Sequence, residues 1–232
     1  MHNLEFITDE IYLDTIPQPV PAAKFFPEWY KKMPAKADEQ SPLISGNTSM
    51  KACPGIFDAF CMGYIIPAWA DFSIHLSPDS KNTLETQWKG NMIDVFDEKV
   101  SSRFAFEASE ERQFIRIITP WSIKTTPGTS VLLTNPKWRP ELKHKIYEGV
   151  VDADTFVQDV HVIITMKKYS SLEIKKGDPL CQVIPFARDL WESKSVAWNE
   201  DTAKLREQGR IIKDTHLAGG YRKEFWQEKV YK

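Results

Sequence analysis

Six short runs between residues 45 and 190 limit what this chain can fold into. Phe72-Ser73-Ile74-His75-Leu76 and Phe104-Ala105-Phe106 alternate apolar with small or polar residues. Gln113-Phe114-Ile115-Arg116-Ile117-Ile118 and Thr129-Ser130-Val131-Leu132-Leu133-Thr134 are rich in β-branched and aliphatic side chains, as are Asp159 to Met166 and Leu180 to Phe186. Turn residues bound them at Lys89-Gly90-Asn91, Pro127-Gly128 and Lys176-Gly177-Asp178. Side chains on a strand alternate between two faces, so many short runs of this kind predict a mainly β body, a sandwich, barrel or relative.

The flanks are different. Residues 1–44 read as an arm. Ile16-Pro17-Gln18-Pro19-Val20-Pro21 is extended, because each proline fixes its own φ and pushes its predecessor out of the helical region. Phe25 to Lys32 then makes one or two helical turns before Pro34, and its four aromatics pack on the body or on a neighbouring subunit. Residues 191–232 read as a helical tail, with a charged helix from Asn199 to Asp214, a break at Gly219-Gly220, and a final basic helix carrying Tyr221, Phe225, Trp226 and Val230. The expected division is 1–44, 45–190 and 191–232, one domain with two extensions.

Composition excludes several classes. Eight Trp, thirteen Phe, seven Tyr and fifteen Pro against ten Gly suit short strands joined by rigid corners. A net charge of −2 argues against a duplex nucleic-acid binder, which needs a basic face. Three cysteines, Cys53, Cys61 and Cys181, make a secreted disulfide framework unlikely and a reducing, cytoplasmic setting the expectation. No basic segment followed by an apolar run opens the chain, so no signal peptide is expected, and no apolar stretch is long enough for a membrane span.

Within the β region, Gly149-Val150-Val151-Asp152-Ala153-Asp154 carries the strongest carboxylate pair. Asp152 and Asp154 are two apart on an extended hairpin and so share a face, which suits a divalent cation, a division of acid and base roles, or the capping of backbone donors. Gly149 is expected where the chain turns too tightly for a side chain. Gln182 is polar between buried neighbours and needs hydrogen-bond partners. Cys181, in a buried strand, is expected to be an inert small hydrophobe rather than a nucleophile. The five histidines have no metal-ligand spacing, but His75 and His161 both fall on strands and could meet a carboxylate as an iron-type triad.

Read together, Pro127-Gly128-Thr129, Gly149 to Asp154, and Ile174-Lys175-Lys176-Gly177-Asp178-Pro179-Leu180-Cys181-Gln182-Val183-Ile184 resemble, in order and spacing, the trimeric dUTPase family and its dCTP-deaminase relatives. The resemblance implies a β-clip core, a homotrimer and a nucleoside pocket built by the Gly149–Asp154 hairpin. It also implies that Asp152 orients an attacking water and the sugar hydroxyl, with Mg²⁺ carrying the phosphates if the ligand is a nucleotide. The chain departs from the family where an aromatic packs on deoxyribose: Thr155 stands there, with Phe156 beside it. The family's Arg-Ser-Ser phosphate loop is replaced by Thr134-Asn135-Pro136-Lys137-Trp138-Arg139-Pro140, whose Lys137 and Arg139 remain able to meet an anion. Ala68-Trp69-Ala70-Asp71-Phe72 is a loose echo of the first family motif.

A second, closer resemblance concerns the whole chain, which is similar to an uncharacterised family common in tailed phages of marine bacteria. Lys51 to Asp58, Gly63 to Pro67, Pro120 to Gly128 and Asp178 to Phe186 carry that likeness. Three functions are therefore expected in competition. The first is a divergent dUTPase-like protein that binds or hydrolyses a small anionic ligand through Asp152, Asp154, Phe156, Gln182, Lys137 and Arg139. The second is a non-catalytic phage assembly or virion protein. The third is a metal-dependent oxygenase-like enzyme built on His75 and His161. Whether the chain is an enzyme stays open at this level.

Overall fold

The computed structural model describes residues 2–35, 49–77, 83–86, 92–96, 112–215 and 220–232. The expected strand Phe104-Ala105-Phe106 and the turn Lys89-Gly90-Asn91 lie outside them. The chain forms two compact units, Met1–Phe25 with Gly63–Arg188, and Phe26–Met62 with Asp189–Lys232.

The first unit is mainly β, as the strand pattern predicts, and all its pairings are antiparallel. Its strands are β1 (Leu4–Ile7), β2 (Val20–Pro21), β3 (Tyr64–Pro67), β4 (Phe72–His75), β5 (Thr83–Thr86), β6 (Ile93–Val95), β7 (Arg112–Thr125), β8 (Thr129–Thr134), β9 (Lys145–Ile146), β10 (Gly149–Val151), β11 (Asp159–Lys167), β12 (Ser171–Ile174) and β13 (Pro179–Ala187). One sheet runs β1-β7-β11-β9, with β6 also on β7. A second runs β10-β8-β13-β3-β2, and a third runs β12-β4-β5.

Alternation explains the core. Ile115 and Ile117 of β7, Val162, Ile164 and Met166 of β11, Val131 of β8, Ile74 of β4, Leu172 of β12 and Val183 of β13 belong to one buried cluster with Trp69 and Trp121. Each such aliphatic side chain contributes roughly 1.5–3 kcal/mol by leaving water. The strand β7 is long for its type, and it contains Pro120. The β7–β11 register shifts there: Ser122 faces Asp159 while Ile118 faces His161. A proline has no N–H to give a ladder, so the bulge falls where the ladder lacks a donor.

Three glycines with positive φ stand at corners of the chain. Gly128 has φ +80° in the turn between β7 and β8, and Gly177 has φ +93° in the turn before β13. At Gly63, φ is +68° and a Cβ would stand 2.0 Å from the carbonyl oxygen of Val183. Gly149 differs from the expectation: it lies inside β10, and a Cβ there would meet nothing within 4 Å. Pairing with β8 keeps that backbone extended, so glycine is not required.

Two expectations about the flanks change in detail. Leu4–Ile7 is a strand paired with β7, and Val20–Pro21 pairs with β3, so parts of the expected arm are sheet. In the second unit the charged helix spans Glu200–Thr215, close to its expected limits, but the final helix is only Gly220–Glu224 and stops before Trp226. The Trp226 indole N–H is instead directed at the Asp58 carboxylate, 2.9 Å and 3.0 Å from its two oxygens, and Lys229 donates to the same group at 2.8 Å. The helix Glu28–Lys32 stops before Pro34, and Phe26 and Tyr30 stack at 5.3 Å beside Phe57 and Phe60 of the helix Pro54–Cys61.

Candidate functional site

The segments that carry the dUTPase resemblance lie side by side. β8, which follows the Pro127-Gly128 turn, sits between β10 and β13 in the second sheet. Val151 of β10 faces Val131 of β8, and Val131 in turn faces Pro185 of β13. The Lys175–Asp178 turn is tied to the Ala68–Phe72 stretch: Gly177 N donates to Ala68 O at 2.8 Å, Ala68 N donates to Asp178 O at 2.8 Å, and Lys176 N donates to the Asp71 carboxylate at 2.7 Å.

Beyond β10 the chain reverses at Asp152. The backbone N–H groups of Thr155 and Phe156 both donate to the Asp152 carbonyl, at 3.1 and 2.9 Å. This turn and the start of β11 enclose a cavity of about 200 Å³. Val131, Leu133, Val151, Ala153 and Phe156 are among its apolar lining, and Gln158, Asp159 and His161 are its polar lining residues. Phe156 is 61% exposed, so most of its surface is in water. Apolar walls with a few convergent polar groups are how small-ligand sites are built, and this volume suits one ring or sugar rather than a drug-sized molecule.

Asp152 and Asp154 come together, as their spacing predicts, but not in that cavity. Val151 and Ala153 line it, whereas neither Asp152 nor Asp154 is among its lining residues. Ser130 Oγ donates to Asp152 Oδ1 at 2.6 Å. Arg188 Nη1 donates to Asp152 Oδ1 at 3.3 Å and to Asp154 Oδ1 at 2.9 Å, while its Nη2 donates to Asp154 Oδ2 at 2.5 Å. Gly128 N donates to Asp154 Oδ2 at 2.8 Å. These bonds, Arg188 first and Gly128 second, hold the Asp154 carboxyl down at about 2. The single Arg188 guanidinium already bridges the two carboxylates, in the place that a shared divalent cation would take.

The remaining candidates fall at separate places. Gln182 is buried on β13, where its Oε1 accepts from Lys137 N at 3.0 Å. The Lys137 ammonium donates to Thr134 Oγ1 at 2.9 Å, and Thr134 donates in turn to Glu148. That hydroxyl, with further donors from Asn135, draws the Glu148 carboxyl below its ordinary range. Arg139 pairs with Glu141 at 3.2 Å and reaches the Phe25 carbonyl. His75 bonds Ser171 at 2.7 Å on the β12-β4-β5 sheet, whereas His161 lies on β11 of the first sheet. The structure does not bring the two histidines together, and among the described residues no group of three or more His, Cys, Asp and Glu could hold a metal ion.

Sequence reasoning missed Arg188, Ser130 and Glu148. Arg188 follows the last apolar strand and gives no local sign of its partners, which lie 34 and 36 positions away.

Comparison of the sequence with protein-family models gives no match, and comparison with the curated proteins gives none either. Among solved structures, the dUTPase of Staphylococcus bacteriophage 80alpha aligns at 12% identity over 85% of this chain and 98% of that one, with a TM-score of 0.40. A mutant dUTPase from phage phi11 of S. aureus aligns at 12% identity over 85% and 99%, with a TM-score of 0.38. The EIAV dUTPase aligns at 14% identity over 60% and 85%, with a TM-score of 0.33.

Proposed function

We propose that this chain is a divergent dUTPase-like protein of the β-clip kind that binds a small nucleoside-type ligand in the cavity beside the β10–β11 turn. One observation carries the reading. The segment after β10, which the resemblance names as pocket-forming, borders a mostly apolar cavity with an exposed aromatic, Phe156, beside it. The adjacency of β10, β8 and β13, and the ties between Asp71 and the Gly177 turn, support the same assignment of segments. Binding, not hydrolysis, is the activity put forward. Asp152 is tied to Ser130 and Arg188, and it is absent from the cavity wall.

The assembly put forward is a homotrimer. Its support is the stretch after β13, where Leu190 and Trp191 are 90% and 85% exposed and Val196 and Trp198 are also exposed. Apolar side chains standing in water along an extended segment favour contact with another chain. The same stretch favours a second reading, a non-catalytic assembly protein in which this segment makes the contacts.

Thermal shift with deoxyuridine and dUMP tests the first reading, because a ligand that binds the native state raises its melting point. Deoxyuridine should raise Tm, and Phe156→Ala should abolish the rise while leaving the unliganded Tm near its starting value. No rise with either ligand overturns the reading. Light scattering should give three times the 26.8 kDa chain mass, and Trp191→Ser with Trp198→Ser should lower it. A wild-type monomer rejects the trimer.

A further inference from the structure

The loop from Asn135 to Ile146, in the first unit, holds a bulky residue in a backbone conformation that such residues avoid. Trp138 has φ +54° and is 51% exposed. That left-handed region brings Cβ too close to the following carbonyl, so it is rare outside glycine, asparagine and aspartate. The loop is pinned on both sides of it. Lys137 N donates to the buried Gln182 Oε1 at 3.0 Å, and Leu142 N donates back to Arg139 O at 3.1 Å. Further out, the Asn135 side chain clamps both backbone groups of Ile146: Nδ2 donates to Ile146 O at 3.2 Å, and Oδ1 accepts from Ile146 N at 2.7 Å. Strain held by its surroundings in this way clusters at ligand-binding positions.

The clamp joins this loop to a row of alternating burial. Lys143, Lys145 and Tyr147 are exposed, while His144 and Ile146 between them are buried. Residues two apart on an extended chain share a side, about 7 Å from each other, so two ammoniums and a phenol ring stand outward along β9, at the edge of the first sheet. The Tyr147 ring is set edge-on to Phe114, with centroids 5.6 Å apart, and stays 41% exposed. Lys145 faces Thr165 of β11, and Lys167, two positions along β11 and so on the same face, is exposed as well. The acids of this segment are engaged: Glu141 pairs with Arg139, and Glu148 accepts from Thr134 and Asn135. Among the described residues, Lys143, Lys145 and Lys167 form no ion pair. A chain with a net charge of −2 thus gathers three unneutralised ammoniums and two exposed aromatic rings in one neighbourhood.

We propose that this face binds a single-stranded nucleic acid, with a base stacked on Trp138 and phosphates at Lys143, Lys145 and Lys167. The combination of groups decides between polyanions. An acidic peptide would gain the lysines but leave the indole unused. A duplex keeps its base faces inside its own stack, so Trp138 would gain nothing from it either. An open strand offers phosphates and bare base faces together, which is how strand-binding surfaces combine cations with aromatic platforms. Lysines on an edge strand also discourage pairing with another sheet. That accounts for Lys145, but not for an indole held outward on strained backbone.

Fluorescence anisotropy of a labelled oligo(dT) of about 12 nucleotides, titrated with the full-length protein at low salt, tests this. The strand should bind saturably, and more tightly than a duplex of the same length. Trp138→Gly should weaken binding about tenfold, the loss of one stacked base, without lowering Tm, because glycine accepts the left-handed backbone. Lys143→Gln with Lys145→Gln is a second arm that leaves the loop backbone alone. It should weaken binding and reduce the slope of log affinity against log salt by about 1.4, the counterions released by two phosphate contacts on a single strand. No saturable binding at low salt would overturn the proposal. Equal binding of an abasic strand, or of poly-L-glutamate at the same charge, would also overturn it and assign the face to acidic partners in general. Deoxyuridine should not compete with the strand, which separates this face from the cavity beside the β10–β11 turn.

Discussion

Asp154 and Arg188 are joined by two parallel hydrogen bonds, 2.9 and 2.5 Å long, across 34 positions of sequence. The carboxylate is only 4% exposed, and it also accepts from the backbone of Gly128, so it ties the β7–β8 turn to the end of β13. Asp152, 60% exposed, has only one arm of the same guanidinium.

Asp154→Ala should therefore lower Tm by a few degrees and by more than Asp152→Ala does. The Asp154 carboxyl is held at about 2, below its ordinary 3.8, so its stabilising effect is complete above about pH 4. That contribution fades as pH falls from there through about 2. Melting curves from pH 7 to pH 2 should show this acid loss in the wild type and a flatter limb in Asp154→Asn.

His144 acts in a different window. Its pKa falls from 6.5 to about 4 on burial, so the unfolded chain takes up a proton that the folded chain refuses. Stability should fall as pH drops from about 6.5 to about 4 and level off below, by on the order of 3 kcal/mol. Urea denaturation at pH 7.5 and pH 4.5 measures the difference, and His144→Gln should remove most of it.

Gly63 admits no side chain. Its positive φ and the 2.0 Å approach of a Cβ to the Val183 carbonyl should make Gly63→Ala cost more than about 3 kcal/mol. Gly149→Ala is the contrasting case, with open space around it, and should leave Tm within a degree or two. Far-UV circular dichroism melts of the two variants compare them directly.

The three thiols should separate by reactivity. Cys53 is exposed, whereas burial pushes Cys61 up to about 11 and Cys181 up to about 12. Only a thiolate attacks an alkylating agent. Iodoacetamide at pH 8 should label Cys53 alone in the native protein and all three in denaturant, with peptide mass spectrometry locating the adducts.

Where side-chain period alone decides, the fold was legible. β8, β11 and β13 fall on runs whose alternation or β-branching is plain in the sequence. β1 was not, because four residues at the start of a chain carry too little pattern to show that β7 completes their pairing. The final helix was over-read for a related reason: the spacing of Phe225, Trp226 and Val230 is helical, but the helix ends at Glu224, and the Trp226 indole packs its N–H on the Asp58 carboxylate. At the candidate sites, the pairing of Asp152 with Asp154 was visible because it is local. Arg188 was invisible because it is not. His144 stands between Lys143 and Lys145, two charges that make a buried ring look like solvated surface.

The Arg188 fork also stands at a hand-over point. The chain leaves the first unit directly after Arg188, and the next residues are outside any helix or strand, with Leu190 and Trp191 in water. Any tension put on that stretch by a bound partner would reach the guanidinium before it reached the ladder of β13. Two carboxylates on the turn after β10 hold that guanidinium, so a pull on the tail would load the fork first.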